Sequence, residues 1–289
     1  MRDTENDDKL IKDFNDFDDI NDSKNSRKKI ILISILIVLT PATIIIVLYF
    51  TVFTKTSDDH NFSPCEIDTI PKEEMDKARN EFKQDKYIDT VNNSYSLEYN
   101  LFIPKNYTKE KKYPLIMFIH DGSFVDNTDV KSALTDTVGG PIWATDREQK
   151  KHECFVLVPK FNNIIIDDNN GKYMVSEYIN VIVRLIQKLI AEYSINKDKI
   201  YSTGQSMGAM TTLYLLSNFP NLLAAGLVVD GQWRIEELKG LINSTFTYFA
   251  AGGDQKAFKG LTEVKEFFKS LKISYGELTD LNAQDNVNI

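Results

Sequence analysis

Hydrophobic and polar positions divide this chain into unlike stretches. Residues 1–29 are polar and charged, rich in Asp and Asn, with Phe14, Phe17 and Ile20 scattered among them. They hold too little apolar surface to offset the entropy of ordering, so a disordered tail is expected. Ile30 to Phe53 then carries no charge and is built mainly of Ile, Leu, Val and Thr. From Thr54 to about Thr90 the chain turns polar again, and a stalk with one helical patch near Lys72–Phe82 is expected. Beyond it, apolar runs of strand length alternate with helical periodicities.

The first strand of that second half is Tyr95–Ile103, which alternates and stops at Pro104. Tyr113-Pro-Leu-Ile-Met-Phe-Ile119 is a continuous apolar run, the pattern of a strand buried on both faces. A polar excursion, Phe124 to Glu153, precedes the next run, Cys154–Val158, which Pro159 is expected to close. Val175, Ile179, Ile182, Val183, Ile186, Leu189, Ile190 and Tyr193 recur at three- and four-residue steps, the signature of a helix packed on a sheet. Lys199–Tyr201 reads as a strand. Ala209, Met210, Leu213 and Leu216 then mark a helix that Asn218-Phe-Pro220 stops. Ala224–Asp230 and Thr245–Ala251 are two more strands, and Ala257–Leu271 is a last helix. Strands alternating with helices imply βαβ units and a mostly parallel sheet.

The uncharged stretch is long enough to cross the roughly 30 Å hydrocarbon core of a bilayer with some tilt. A buried core helix would show a polar face, and this one has none. A cleaved signal peptide fits less well. The preceding region is long and acidic, and no small-residue cleavage site comes after it. Lys24, Arg27, Lys28 and Lys29 flank its N-terminal side against Lys55 on the other. A signal-anchor helix is therefore expected at 30–53, with the tail in the cytoplasm and the rest outside it.

Composition adds mostly exclusions. A formal net charge of −8 and no basic stripe argue against a nucleic-acid partner. The two cysteines, Cys65 and Cys154, lie far apart. Cys154 sits in an apolar run and reads as a buried thiol, with a disulfide to Cys65 as the alternative. Nothing resembles a zinc cluster, and neither a metal nor a cofactor is expected.

The chemistry concentrates in Gly204-Gln205-Ser206-Met207-Gly208, a G-x-S-x-G between a strand and a helix. That context is the one in which the motif lifts a serine clear of its neighbours as a nucleophile. The tight turn requires small residues two places before and after the serine, here Gly204 and Gly208. Acyl transfer also needs oxyanion donors, an acid and a base. The backbone N–H of Met207 is the first donor. The second should come from His120-Asp121-Gly122-Ser123, after the Tyr113–Ile119 strand, where Asp121 and Gly122 are the candidates. His120 belongs to that loop and is expected to hold it rather than act as base. The acid should sit after a strand beyond the serine. Asp254 is the first choice and Asp230, at the end of the preceding strand, the second.

At these residues the chain resembles a known group: α/β-hydrolases related to prolyl-oligopeptidase catalytic domains and to polyhydroxybutyrate-depolymerase or feruloyl-type esterases. The resemblance is carried by Phe102–Tyr107, Tyr113–Gly122, His152–Pro159, Ile200–Gly208 and Phe219–Ala225, in the expected order. It implies an α/β-hydrolase fold with an eight-stranded type of sheet, a site open or lightly covered, and a small-molecule or polymer ester as substrate. Peptides are the lesser possibility. Two departures stand out. Asp121 takes the second place of the oxyanion His-Gly pair, and the base is missing from where such proteins carry it, after the acid. The three histidines, His60, His120 and His152, all precede Ser206, so the domain, taken as 91–289, is expected to lack its C-terminal strand and helix. Three functions stay open: a membrane-anchored serine esterase impaired by the missing histidine, a binding protein that kept the fold without catalysis, and a serine peptidase of prolyl-oligopeptidase type, which nothing in the sequence favours. The topology is directly testable. Protease treatment of intact cells or sealed vesicles should remove residues beyond 54 and spare the tail. Protection of that part would overturn the assignment.

Overall fold

The computed structural model describes residues 70–135 and 139–276. The expected tail, the 30–53 helix, Cys65, His60 and residues 277–289 lie outside them.

Seven strands form one sheet: β1 (Lys83–Ile88), β2 (Ser96–Phe102), β3 (Tyr113–Ile119), β4 (Phe155–Lys160), β7 (Ile195–Gln205), β8 (Ala225–Val229) and β9 (Phe246–Phe249). A separate two-stranded ribbon pairs β5 (Ile166–Asp167) with β6 (Met174–Val175). The order in the main sheet is β1-β2-β4-β3-β7-β8-β9. β1 and β2 join antiparallel, and every pair from β4 to β9 is parallel. The helices are α1 (Lys72–Asn80), α2 (Ser132–Thr135), α3 (Asp146–Lys151), α4 (Tyr178–Glu192), α5 (Met207–Asn218) and α6 (Gln255–Ser270).

The core grows out of the apolar runs. β3 buries Leu115, Met117 and Ile119 completely, and β4 is buried along its whole length. α4 turns Ile179, Ile182, Ile186 and Leu189 inward, as read from the sequence, and buries Val181 and Leu185 besides; it starts at Tyr178 because Val175 pairs in β6. α5 differs in kind. Nine of its twelve residues are buried, including Thr211 and Thr212. Those two hydroxyls are satisfied by donating to the carbonyls of Met207 and Gly208, at 2.8 and 3.0 Å.

Three expectations need correction. Pro159 does not close β4, which runs on to Lys160 with Pro159 opposite Tyr99 of β2. The ladder to β3 has its last pair at Met117 and Leu157, so the proline's missing N–H falls where that ladder has ended. The strand that leads into the elbow begins at Ile195, well before Lys199. Finally, the second half of the expected stalk belongs to the folded domain, whose compact unit begins at Thr69 rather than near residue 91. α1 buries Met75 and Ala78, and Phe82 packs on Phe102 at 5.8 Å between ring centroids. β1 pairs with β2 from end to end. It was unreadable because only Tyr87 of its six residues is buried, which leaves an edge strand without alternation.

An ion pair locks this added hairpin to the domain. Arg184 on α4 donates from Nε and Nη2 to both carboxylate oxygens of Asp89, at 2.6 and 2.9 Å, and the Asp89 side chain is fully shielded from solvent. Burial raises the Asp89 carboxyl. Hydrogen bonds from Arg184 and from the Asn92 N–H, with the guanidinium charge, outweigh that and leave it below the ordinary carboxylate range. A carboxyl depressed in the folded state stabilises the fold above its unfolded value, and the contribution fades as pH falls through the lower, folded one. Replacing Arg184 with Met should cost about 3 kcal/mol at neutral pH by stranding a buried carboxylate. In urea titrations the gap to the parent protein should narrow once the pH is low enough to protonate Asp89.

Candidate active site

The parallel strands end together. Ile119 of β3 is in register with Gly204 of β7, Gln205 with Val229 of β8, and Val229 with Phe249 of β9. The segments leaving these strands therefore collect along one edge of the sheet: His120–Ser123, Ser206, Asp230 and Asp254. The carboxyl edge of a parallel sheet is where α/β folds place their sites.

Ser206 occupies the single residue between β7 and α5, with φ 52° and ψ −114°. Non-glycine residues avoid that backbone region, and holding one there costs about 1–3 kcal/mol. Two interactions impose it. The Ser206 N–H is held by the carbonyls of Val229 and Asp230, both at 3.1 Å. The turn is also pressed against β3. A Cβ on Gly208 would lie 2.0 Å from the Ile119 carbonyl oxygen, and one on Gly204 2.5 Å from the same atom. Both elbow glycines thus answer to one oxygen on the neighbouring strand. Ser206 is exposed while Met207, the first residue of α5, is buried. The N-terminus of α5 opens beside the serine and favours negative charge there.

The loop after β3 is held from behind. His120 is fully buried; its Nε2 accepts from the Phe161 N–H at 3.1 Å, so the proton sits on Nδ1, which donates to the Asp121 carbonyl at 2.7 Å. Burial lowers the imidazole's proton affinity, and the nearby Lys160 charge adds to that. Because a trans peptide sets C=O and N–H in opposite directions, an Asp121 carbonyl turned toward His120 turns the Gly122 N–H away from it. Asp121 itself caps the short turn Gly122–Phe124, its Oδ1 accepting from Ser123 N–H at 2.7 Å and Ser123 Oγ at 2.6 Å. The departure at Asp121 therefore has a local role that a glycine could not fill.

Both candidate acids lie at the same edge with different duties. Asp230 has φ 49°, and its Oδ1 accepts from the Ala251 N–H at 2.6 Å, tying the ends of β8 and β9 together. Asp254 caps α6, accepting from the N–H groups of Lys256 and Ala257 at 3.1 and 3.0 Å. Tyr248, whose hydroxyl donates to the Gly231 carbonyl, is raised by burial and then by the charges of Asp230 and Asp254. Gly231 was not singled out from the sequence. A Cβ there would meet Ala209 Cβ at 2.5 Å and Ser206 O at 3.0 Å. The Asp-Gly pair at the end of β8 was the available signal.

No described histidine is placed to serve as base. Both nitrogens of His120 are engaged, and exposed His152 lies between α3 and β4, at the opposite edge of the sheet. Among the described residues no group of three or more His, Cys, Asp or Glu is arranged to hold a metal. Cys154 is a free, buried thiol that burial pushes up to about 12.

Comparison with known proteins settles the architecture. No family profile matches the chain. A solved thermostable esterase superposes with a TM-score of 0.61 at 24% identity, covering 69% of this chain and 55% of that one. This chain has the α/β-hydrolase fold. Fluorophosphonate-binding serine hydrolase F of Staphylococcus aureus superposes with a TM-score of 0.51 at 12% identity, over 67% of this chain and 88% of that one. Acetylxylan esterase A of Aspergillus ficuum is 40% identical over 52 residues, 18% of this chain and 17% of that protein. The chain thus spans about half the length of the esterase it superposes on, and its 52-residue match spans about a sixth of the sequence relative.

The elbow geometry has measurable consequences. Ser206→Gly should stabilise the domain by about 1 kcal/mol by releasing the positive-φ strain. Gly208→Ala should destabilise it by about 2 kcal/mol or more, because backbone rather than a flexible side chain stands in the way. Urea midpoints of the two variants test both signs.

Proposed function

We propose that the domain is a serine hydrolase of the carboxylic-ester type, with Ser206 as nucleophile. The observation that carries this reading is Ser206 itself, exposed and held at positive φ at the carboxyl edge of the sheet beside a glycine-bearing loop. Strain of that kind persists where it positions a reacting atom. Ser206 Oγ would attack an ester carbonyl. The oxygen would take up charge against the N–H groups of Met207 and Gly122, and an acyl-enzyme would form with loss of the alcohol. Water would then release the acid. Asp254, in the segment after β9, is the acid of choice by its place in the chain, and Asp230, after β8, is the alternative; each carboxylate also accepts from backbone N–H groups. The similarity to esterases supports an ester rather than a peptide substrate. Residues 30–53, with their uncharged composition and flanking cations, support a membrane anchor and an extracytoplasmic domain. Among the described residues no helix is long and apolar enough to cross a membrane.

A second reading rests on a specific observation. His120 is committed to the loop and His152 lies at the wrong edge, so proton transfer from Ser206 has no imidazole among the described residues. Without a base the same fold would serve as a binding module. Fluorophosphonate labelling separates the two. In the full chain Ser206 should label slowly and Ser206→Ala should not label at all; an unlabelled parent favours the binding module. With p-nitrophenyl acetate, turnover should be very weak, and free imidazole should raise the Ser206-dependent part, measured against Ser206→Ala in the same imidazole, by about tenfold or more through general-base catalysis. Ordinary enzymatic turnover without imidazole would show that another group is the base.

A further inference from the structure

Lys160 is the last residue of β4, in a strand otherwise composed of Phe155, Val156, Leu157, Val158 and Pro159. It is 2% exposed. A buried ammonium is costly unless its protons are bonded, and here each has a partner. Nζ donates to the Phe124 carbonyl at 2.9 Å, the Phe161 carbonyl at 2.7 Å and Asn162 Oδ1 at 3.2 Å. All three acceptors are neutral. Glu98, across from Lys160 on β2, and Asp126 supply favourable charge without a hydrogen bond.

Of these partners, Phe124 is the informative one, because it ends the turn Gly122–Phe124 that comes directly after Asp121. The other end of the turn is held at the Asp121 carbonyl by His120, whose own Nε2 rests on the N–H of Phe161, the residue after Lys160. The end of β4 therefore grips both ends of the β3 loop, one through an imidazole and one through an ammonium. The rings of Phe124 and Phe161 flank His120 at 6.0 and 5.6 Å and fill the space between the two grips. Nothing else in β4 calls for a cation at this position, and an aliphatic side chain would leave two backbone carbonyls without that donor.

We propose that Lys160 is a positioning residue for the oxyanion loop: its ammonium pins the Phe124 carbonyl from behind, so that the Gly122 N–H stays directed at the oxygen developing beside Ser206. The proposal rests on the serine-hydrolase reading for its catalytic consequence, but the pin itself is a property of the loop. Its effect is expected on the transition state, through the direction of the Gly122 N–H, rather than on substrate capture. The test uses Lys160→Met in the full chain, with two readouts. Amide hydrogen exchange should speed up at residues 121–125 while α4 and α5 keep their protection. Fluorophosphonate labelling of Ser206 should lose about tenfold in kinact, less than the loss from deleting an oxyanion donor outright, with KI within about twofold of the parent. Should the Met variant not fold, Lys160→Gln, which keeps a neutral donor, should show a smaller change in the same direction. Faster exchange in a chain that never labels would leave the pin standing and remove the hydrolase reading. Unchanged exchange at 121–125 would overturn the pin. Faster exchange with unchanged kinact would overturn its role in catalysis.

Discussion

One contact governs the architecture: the carbonyl oxygen of Ile119 lies so close to β7 and α5 that neither Gly204 nor Gly208 has room for a Cβ. The approach is possible only because two glycines on successive elements face the same strand. It draws the N-terminus of α5 against the end of β3 and leaves Ser206, between them, no relaxed conformation. The burial of nearly all of α5 is a consequence, since a helix starting that near the sheet is enclosed by the strands and loops around it. So is the placement of the loop that begins at His120, one residue beyond the contact. The strained serine and the position of the His120–Ser123 loop are two results of one packing constraint.

Around that contact, polar side chains are used as fasteners. His120 spends both nitrogens on backbone, Asp121 closes its own turn, Asp230 joins β8 to β9, and Asp254 starts α6. Asp168 adds another tie, accepting from Gln232 Nε2 at 2.9 Å and linking the β5–β6 ribbon to the loop after β8. A site built this way is rigid in the parts that would stabilise charge, which is where pre-organisation has its largest effect on acyl transfer. Under the serine-hydrolase reading proposed above, the weak point is proton transfer. The described scaffold fixes Ser206 and the loop at Gly122, whereas its two described imidazoles are occupied by backbone or lie at the opposite edge of the sheet. Residual catalysis from an oxyanion hole and binding alone is small next to a complete triad, and this separates the geometry of a hydrolase from its turnover.

Much of this was legible in the chain because it depends on local spacing. The elbow pentapeptide, the apolar run before His120, the periodic stripe of α4 and the order of strands and helices each occupy one short window. Periodicity and backbone demand act within that range. Chain order also placed the candidate residues, since a parallel sheet with alternating helices sets every strand's end along one edge. The positions of the histidines, set against the chain order of the hydrolases the sequence resembles, posed the question of the base before the structure was known.

Tertiary structure decided what depends on partners distant in sequence. Lys83–Ile88 became a strand because β2 offered it an edge, and one buried tyrosine in six residues gives no periodic trace of that. Pro159 could remain in β4 because the ladder to β3 had already ended. The same holds for Gly231, whose need to be small arises from α5 across the turn, and for Lys160, whose meaning lies in a carbonyl 36 residues away. Sequence patterns record which face of an element is apolar. They do not record which backbone atom another element will bring within hydrogen-bond distance, and in this domain those atoms determine how the candidate site is held.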